Sequence, residues 1–343
     1  MQVSIDNLEK KYKEVKKIYD AGANSIESIG QLAISALEFL SVLESVPAGT
    51  KVVEGKNVEY SLYSSNFKGS EVFSRPFRVD LFVKDKAEFA EQWEALKSKI
   101  DSDNHKLIYG RTNSVLYTTI LSFSIVYDLH KKGVKAPGTF FEVVIGTLVG
   151  MISGLAREKH IKLPEKPAPE LVKLSAPDAQ IPVSEDSHEE DEPENLDESL
   201  SEVEQEILVE GKVTTDIVIP TGEGLEEIVI AAKISTRERG VQAWVHARIL
   251  EYYSDRNLLK KHRCILVAVS ETQRLKRKVQ DTCIPRQVAL YQKYVSKMDG
   301  LYYLDPPPAY LKLNQMKIVA VRTISDLLSE DLASYLTPRG SRD

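Results

Sequence analysis

The chain reads as an α/β (α+β) protein: a mixed central sheet flanked by helices, with a mainly helical N-terminal region. Three observations lead there. Segments 5–20, 24–45, 87–100, 112–133 and 138–159 repeat apolar residues at helical spacing. From residue 213 on, short apolar or alternating runs (213–220, 226–233, 263–269) take turns with helical ones. Composition is that of a soluble globular protein, 42% apolar and 28% charged, and 343 residues suffice for two domains.

In chain order, residues 1–105 join two amphipathic helices, strands at 57–65 and 77–84, and the helix 87–100, and read as an accessory region. Residues 106–162 carry two apolar helices. The most apolar stretch, 140–156, contains Glu142 and is shorter than the ~20 residues of a membrane span, so a buried helix is expected. The start, MQVSIDNLEKKYKEV, lacks the apolar run of a signal peptide. Residues 163–204 are rich in Pro, Ser and acids. They cannot bury enough apolar surface to offset ordering entropy, and read as a flexible linker or insertion. Residues 205–343 then give a helix, the two strands 213–220 and 226–233, a helix over 236–253, a strand 263–269, a helix 285–297, strands near 300–304 and 316–321, and a helix 323–335. No internal repeat is present. Cys264 and Cys283 are the two cysteines and form no CxxC motif, which argues against zinc or a disulfide framework and for a reducing cytoplasm.

The net charge of −6 is local. Thirteen acids and no Lys or Arg fall in 185–210, whereas 211–343 is +6 and 1–184 is +1. A mildly basic C-terminal part is compatible with a phosphate-binding face. The acidic tract reads as a plain linker, with a phosphate mimic as the alternative.

The chemistry concentrates in VTTDIVIPTGEGLEEIVIAAKISTRERG (213–240). Asp216 lies mid-strand, the TGEG turn (221–224) reverses the chain, and Lys233 ends the partner strand. An irregular hairpin would bring them together. A carboxylate there can hold Mg²⁺, and an ammonium can orient water and offset phosphorane charge. The plainer reading is an edge-strand acid and a strand-end lysine serving solubility. Ser235 and Glu238 form an S-x-x-E capping box, placing a helix start just after Lys233. Arg237 and Arg239 would occupy its first turn, where the helix dipole disfavours cations. Arginine reads guanine O6/N7 bidentately and a carboxylate accepts from cytosine N4, so Arg237, Glu238 and Arg239 suit adjacent G·C pairs. Glu238 also suits a purely capping role. At 100° per residue His246 shares the polar side of this helix with Arg239 and Gln242, opposite Val241, Trp244, Val245 and Tyr252. Arg274, Lys276, Arg277 and Lys278, on a loop or helix start, are candidate contacts to DNA phosphates or an ordinary solvated face. In GTFFEVVIG (138–146), Glu142 precedes glycines at 146, 150 and 154, a stripe that would let the helix approach another backbone. A Glu on its edge needs a partner: a salt bridge or a metal ion.

Asp216, the hairpin and the K-I-S-T-R-E-R run resemble type II restriction endonucleases of the PD-(D/E)xK superfamily, in particular the branch that cuts sites built on CC and GG. That branch has a K-x3-R-E-R motif, which Lys233, Arg237, Glu238 and Arg239 match. The resemblance covers roughly 110–160 and 205–305. It implies a nuclease core with Mg²⁺ held by Asp216 and by Glu142, whose G-x-x-F-E setting is similar to that family's. It also implies double-stranded DNA as substrate, a homodimer acting on a palindrome, and a cognate DNA methyltransferase as genetic partner. The chain departs from the pattern twice. Ala231 stands two residues before the lysine where an acid is usual, and His246 stands where the branch moves that acid. His246 or Glu251 would have to supply the missing ligand. A structure-selective or repair nuclease of the same superfamily, a DNA-binding protein without nuclease activity, and a protein-interaction scaffold docking through the acidic linker are the competing readings.

Overall fold

The computed structural model describes residues 4–53, 55–101, 111–130, 132–133, 135–164, 212–236 and 240–337. Nearly all of the acidic segment expected over 163–204 lies outside them, as do Arg237, Glu238 and Arg239. Two compact units result: Met1–Lys159 with Thr215–Asp343, and His160–Thr214. In the second unit the described contact is His160 Nδ1 to Thr214 Oγ1, 3.2 Å.

The first unit begins with α1 (Ile5–Asp20), capped by the Ser4 hydroxyl, which accepts from Asn7 N–H at 3.3 Å. Next come α2 (Ile26–Leu40) and an antiparallel sheet of β1 (Glu44–Val53), β2 (Lys56–Phe67), β3 (Ser70–Phe73) and β4 (Phe77–Arg78). The sequence reading departs from this in two places. The helix expected to 45 ends at Leu40, because β1 takes over despite a bulge at Pro47–Gly49, where Gly49 has φ +129°. The strand expected over 77–84 pairs only at Phe77–Arg78. Beyond it other groups take the backbone N–H bonds: Val79 N donates to Glu59 O at 2.9 Å and Val83 N to Thr118 Oγ1 at 2.8 Å.

Three helices follow: α3 (Lys86–Asp101), α4 (Thr112–Leu129) and α5 (Lys135–Ser153). Both α4 and α5 are apolar around much of their circumference and accordingly buried. Although α5 is long and apolar enough to cross a membrane, Phe140, Phe141, Val144, Ile145 and Leu148 are wholly buried in the hydrophobic core, so it is a core helix.

The second sheet takes its strands from β5 (Glu158–Lys162) onward: β6 (Lys212–Ile219), β7 (Glu227–Lys233), β8 (His262–Ala268), β11 (Gly300–Tyr303) and β12 (Val321–Thr323), in the order β12-β11-β8-β7-β6-β5. Strands β6 and β7 are antiparallel; β7, β8, β11 and β12 run parallel. The crossover from β7 to β8 is α6 (Gly240–Ser254), and the hairpin β9 (Thr272–Leu275)–β10 (Lys278–Asp281) precedes α7 (Pro285–Tyr294). Helix α8 (Pro308–Gln315) begins at the last of three consecutive prolines; Pro308 stands in its first turn, where no intrahelical N–H is needed. A last helical run (Ile324–Asp326, a π turn Leu327–Asp331, and Leu332–Tyr335) closes the chain.

Period-two alternation divides the sheet's faces. Ile217, Ile219, Ile228, Ile230, Ile265 and Val267 join the core shared with α1 to α5. Helix α6, which packs on β8, buries Ala243, Trp244, Ala247 and Leu250 outside that cluster. Val241 and Val245, read from sequence as part of its apolar side, are 39% and 41% exposed. Ala243, Trp244, Ala247 and Leu250, not the valines, make the contact face.

The glycine stripe also resolves differently. Gly146 accommodates a side chain, not a backbone: a Cβ there would lie 2.2 Å from the Tyr19 hydroxyl. Gly150 faces Arg157, and Gly154 ends the helix with φ +65°. Gly146→Ala should therefore cost about 1–3 kcal/mol through overpacking. Tyr19→Phe, which removes the nearest atom, should recover part of it, read as urea midpoints of the two single variants and the double.

Candidate active site

Strands β6 and β7 pair in regular register from Ile219↔Ile228 to Ile217↔Ile230, and the ladder stops there. At the next position the Asp216 side chain does what the backbone would have done. Its Oδ2 accepts from the Ala232 N–H at 2.7 Å and from Lys233 Nζ at 2.9 Å. The side chains of Lys233 and Asp216 are 22% and 24% exposed, so this is a partly open ion pair at a sheet end. The other carboxylate oxygen, Oδ1, takes part in no hydrogen bond described here. Ala231, where an acid is usual in the resembled family, pairs with Leu266 of β8 and contributes no ligand atom.

Glu142 on α5 is the second acid of this region. Its Oε1 lies 2.7 Å from Lys159 Nζ on β5, yet makes no well-directed hydrogen bond. Burial pushes the Glu142 carboxyl above its ordinary range; Lys159 pulls it back, the Asp216 charge adds to the rise, and Lys233 lowers it. Glu142, Asp216 and Lys233 thus feel one another electrostatically. The Tyr19 hydroxyl is likewise pushed up, first by burial and then by Glu142, and its ring stacks under the Arg157 guanidinium, 4.2 Å from the centroid. Lys159, Arg157 and Tyr19 were not singled out in the sequence because nothing local marks them: they meet Glu142 only through tertiary packing.

The other expected residues fall in different places. His246 is half-buried on α6, and the hydrogen bonds and ion pairs given above for Asp216, Lys233 and Glu142 do not include it. Glu251 is engaged elsewhere, with Arg248 Nη1 at 2.9 Å and Ser296 Oγ at 3.3 Å. Its charge acts on Cys264, near the start of β8, whereas Lys233 pairs with Ala268 at that strand's other end. Among the described residues no three His, Cys, Asp or Glu side chains are grouped closely enough to hold a metal ion. Two hard oxygen donors remain, Asp216 and Glu142, and the latter is a largely buried carboxylate whose Oε1 lies 2.7 Å from the Lys159 ammonium. Those features fit Mg²⁺, which favours carboxylate oxygens and keeps several waters.

Helix α6 is described from Gly240, whose N–H donates to Thr236 O at 2.9 Å, and Glu238 of the expected capping box lies outside the described residues. The residue engaged before it is Thr236, whose backbone N–H and Oγ1 both donate to Glu271 Oε1, at 2.8 and 2.6 Å. Sequence reading missed Glu271, which is 1% exposed. The available signal was its place as the first acid beyond the buried strand 262–268, at the carboxyl end of a parallel strand.

The basic run is a β-hairpin rather than a loop or helix start. Arg277 Nη2 pairs with Glu71 Oε2 at 2.5 Å, and its guanidinium lies over the Phe73 ring at 4.7 Å. Arg274 donates to Lys276 O at 3.0 Å and also lies over Phe73. Both arginines are exposed, and Arg277 makes a surface ion pair with the N-terminal sheet. Lys276, at the turn with φ 56°, and Lys278 are exposed.

Glu142 gives this region a pH signature. Its folded carboxyl holds a proton to higher pH than the unfolded chain's, so stability falls as pH rises from about 4.3, the ordinary Glu value, through the raised one. Glu142→Gln should flatten this descent. Urea midpoints of wild type and variant across pH 4 to 8, as approximate limits, should differ by an amount that drifts through that window; a constant difference contradicts the assignment.

No protein-family model matches the chain, and no curated protein matches it by sequence. Among solved structures it matches the crystal structure of the type IIP restriction endonuclease Kpn2I, with a TM-score of 0.71 and 26% sequence identity over 97% of this chain and 98% of that one. The mixed sheet with flanking helices and a helical N-terminal region is the restriction-endonuclease fold, and the chain is a structural homologue of a restriction endonuclease, a phosphodiester hydrolase.

Proposed function

We propose that the protein is a site-specific double-stranded DNA endonuclease that hydrolyses phosphodiesters at a palindromic G·C-containing site. The observation that carries this reading is the Asp216–Lys233 contact at the broken end of the β6–β7 ladder, in a chain with this fold. A carboxylate and an ammonium 2.9 Å apart at a partly open sheet end supply both polarities that hydrolysis needs.

Asp216 and Glu142 would hold Mg²⁺, which when bound supplies Lewis acidity toward the scissile phosphate. Lys233 would hold and orient the attacking water by its N–H donors and offset the charge that develops on the phosphate. The Ala232 N–H fixes the Asp216 carboxylate, leaving Oδ1 available. Arg237, Glu238 and Arg239, four to six residues beyond Lys233, would read base edges, and Arg274, Lys276, Arg277 and Lys278 would meet the backbone. Cutting both strands of a palindrome calls for two such sites related by a two-fold axis, hence a homodimer. A methyltransferase that modifies the same site would be the genetic partner of such an enzyme. A second reading, DNA binding without cleavage, is favoured by Ala231 and by the lack of a third ligand among the described residues.

Digestion of defined plasmids with Mg²⁺ should give discrete fragments, and Lys233→Ala should lower the rate by roughly a hundredfold or more. A smear, or cutting only at junctions, would favour a structure-selective nuclease. Wild type and variant that are equally inert, yet both bind DNA, would establish the second reading. Chelation by EDTA should abolish cutting and Mg²⁺ should restore it.

A further inference from the structure

Lys159 is a cation that the chemistry above does not use, and it sits on an acid that the chemistry needs. It lies on β5, and its Nζ is 2.7 Å from Glu142 Oε1. The Glu142 side chain is 15% exposed and that of Lys159 42%. The carboxylate is thus largely out of water, while the ammonium reaches it from the surface. Burying a carboxylate is costly unless it is paired, and Lys159 makes the ion pair described for this one.

The charges around Glu142 balance among themselves. Glu142 is matched by Lys159 and Asp216 by Lys233, and Glu142 feels both members of the second pair. Two negative and two positive charges cancel, so a divalent cation meets little net attraction until an ammonium gives way. The two lysines differ in how readily they can do so. The Lys233 side chain is 22% exposed, and the carboxylate it meets is also fixed by the Ala232 N–H at 2.7 Å. Lys159 is the more exposed of the two. The other contact described for it is the face of the Tyr19 ring, whose centroid lies 5.8 Å from Nζ. A lysine ammonium is a strongly hydrated point charge on a flexible four-carbon stem. From the edge of the protein it can leave the carboxylate and return to water.

We propose that Lys159 is an internal counter-ion that competes with the metal ion for the Glu142 carboxylate, a positioning residue that sets the metal affinity of the site. This rests on the reading of Glu142 as a metal ligand. Lys159 holds the carboxylate through its ion pair and yields it to a divalent cation. A monovalent ion carries no more charge than the ammonium it would displace, so the exchange favours divalent ions.

The test is titration with Mn²⁺, which shares the oxygen preference of Mg²⁺, followed by the electron paramagnetic resonance signal of the free ion. Wild type is compared with Lys159→Gln, Lys159→Arg, Glu142→Gln and the Lys159→Gln/Glu142→Gln double variant at about pH 8, well above the ordinary Glu value. The quantity compared is the part of the binding that Glu142→Gln removes. Lys159→Gln should lower its Kd by about tenfold, the low end for one nearby charge because the ammonium is partly exposed. Lys159→Arg keeps the charge and should stay near wild type. A second readout needs no variant: brief acetylation of the wild-type protein, mapped by peptide mass spectrometry, should modify Lys159 faster with Mg²⁺ than without. An unchanged or raised Kd for Lys159→Gln, or a Lys159 acetylation rate indifferent to Mg²⁺, overturns the proposal while leaving Glu142 as a ligand. Mn²⁺ binding that ignores Glu142→Gln in both backgrounds removes Glu142 from the metal site and this inference with it.

Discussion

A β-ladder that stops one residue early organises this protein's chemistry. Beyond Ile217↔Ile230 the backbone pairing of β6 and β7 gives way, and the Asp216 carboxylate occupies the vacated place by accepting from Ala232 N–H. The substitution satisfies a backbone donor, as a partly buried N–H requires. It also turns an aspartate toward Lys233 at the open end of the sheet. Regular pairing would have kept the carboxylate in the strand's alternation, apart from the lysine. The surrounding architecture keeps that end rigid: β7 is flanked by β8 in parallel register up to Lys233↔Ala268, and the isoleucines behind it are wholly buried against the helices.

Charge is distributed around this end in layers. Asp216 has Lys233, and Glu142 has Lys159, so each acid of the candidate metal site has its own ammonium. The raised titration of Glu142 reflects a carboxyl taken out of water more than it is paired. Such an acid is expensive to keep and suits an ion that would neutralise it. Glu271 solves the same problem with neutral donors, and burial likewise pushes it up. One buried acid is paired with an ammonium and the other is enclosed by hydroxyls and an amide.

Much of this was legible in the sequence, and the reasons are local. Apolar alternation marked β6, β7 and β8, helical spacing marked α4 and α5, and a turn of Gly and Glu between two strands brought Asp216 to Lys233. What was not legible depended on distance along the chain. Strand β1 was hidden because Pro47 and the Gly49 bulge interrupt its pattern. Alternation over 79–83 was real but served loop packing, since side chains of α4 took its hydrogen-bonding role. The basic run looked like a solvated loop until Arg274 and Arg277 were seen over Phe73, some 200 residues away. Glu271 could not be weighed without Thr236, 35 positions earlier.

The central claim is that Asp216 and Lys233 act as one unit in phosphodiester cleavage. Single-turnover cutting of supercoiled plasmid by Asp216→Asn, Lys233→Met and the double variant tests it most directly, because residues that act together lose activity non-additively. The double variant should be no slower than the slower single one. Losses that multiply would contradict a shared role and place the two residues in separate steps.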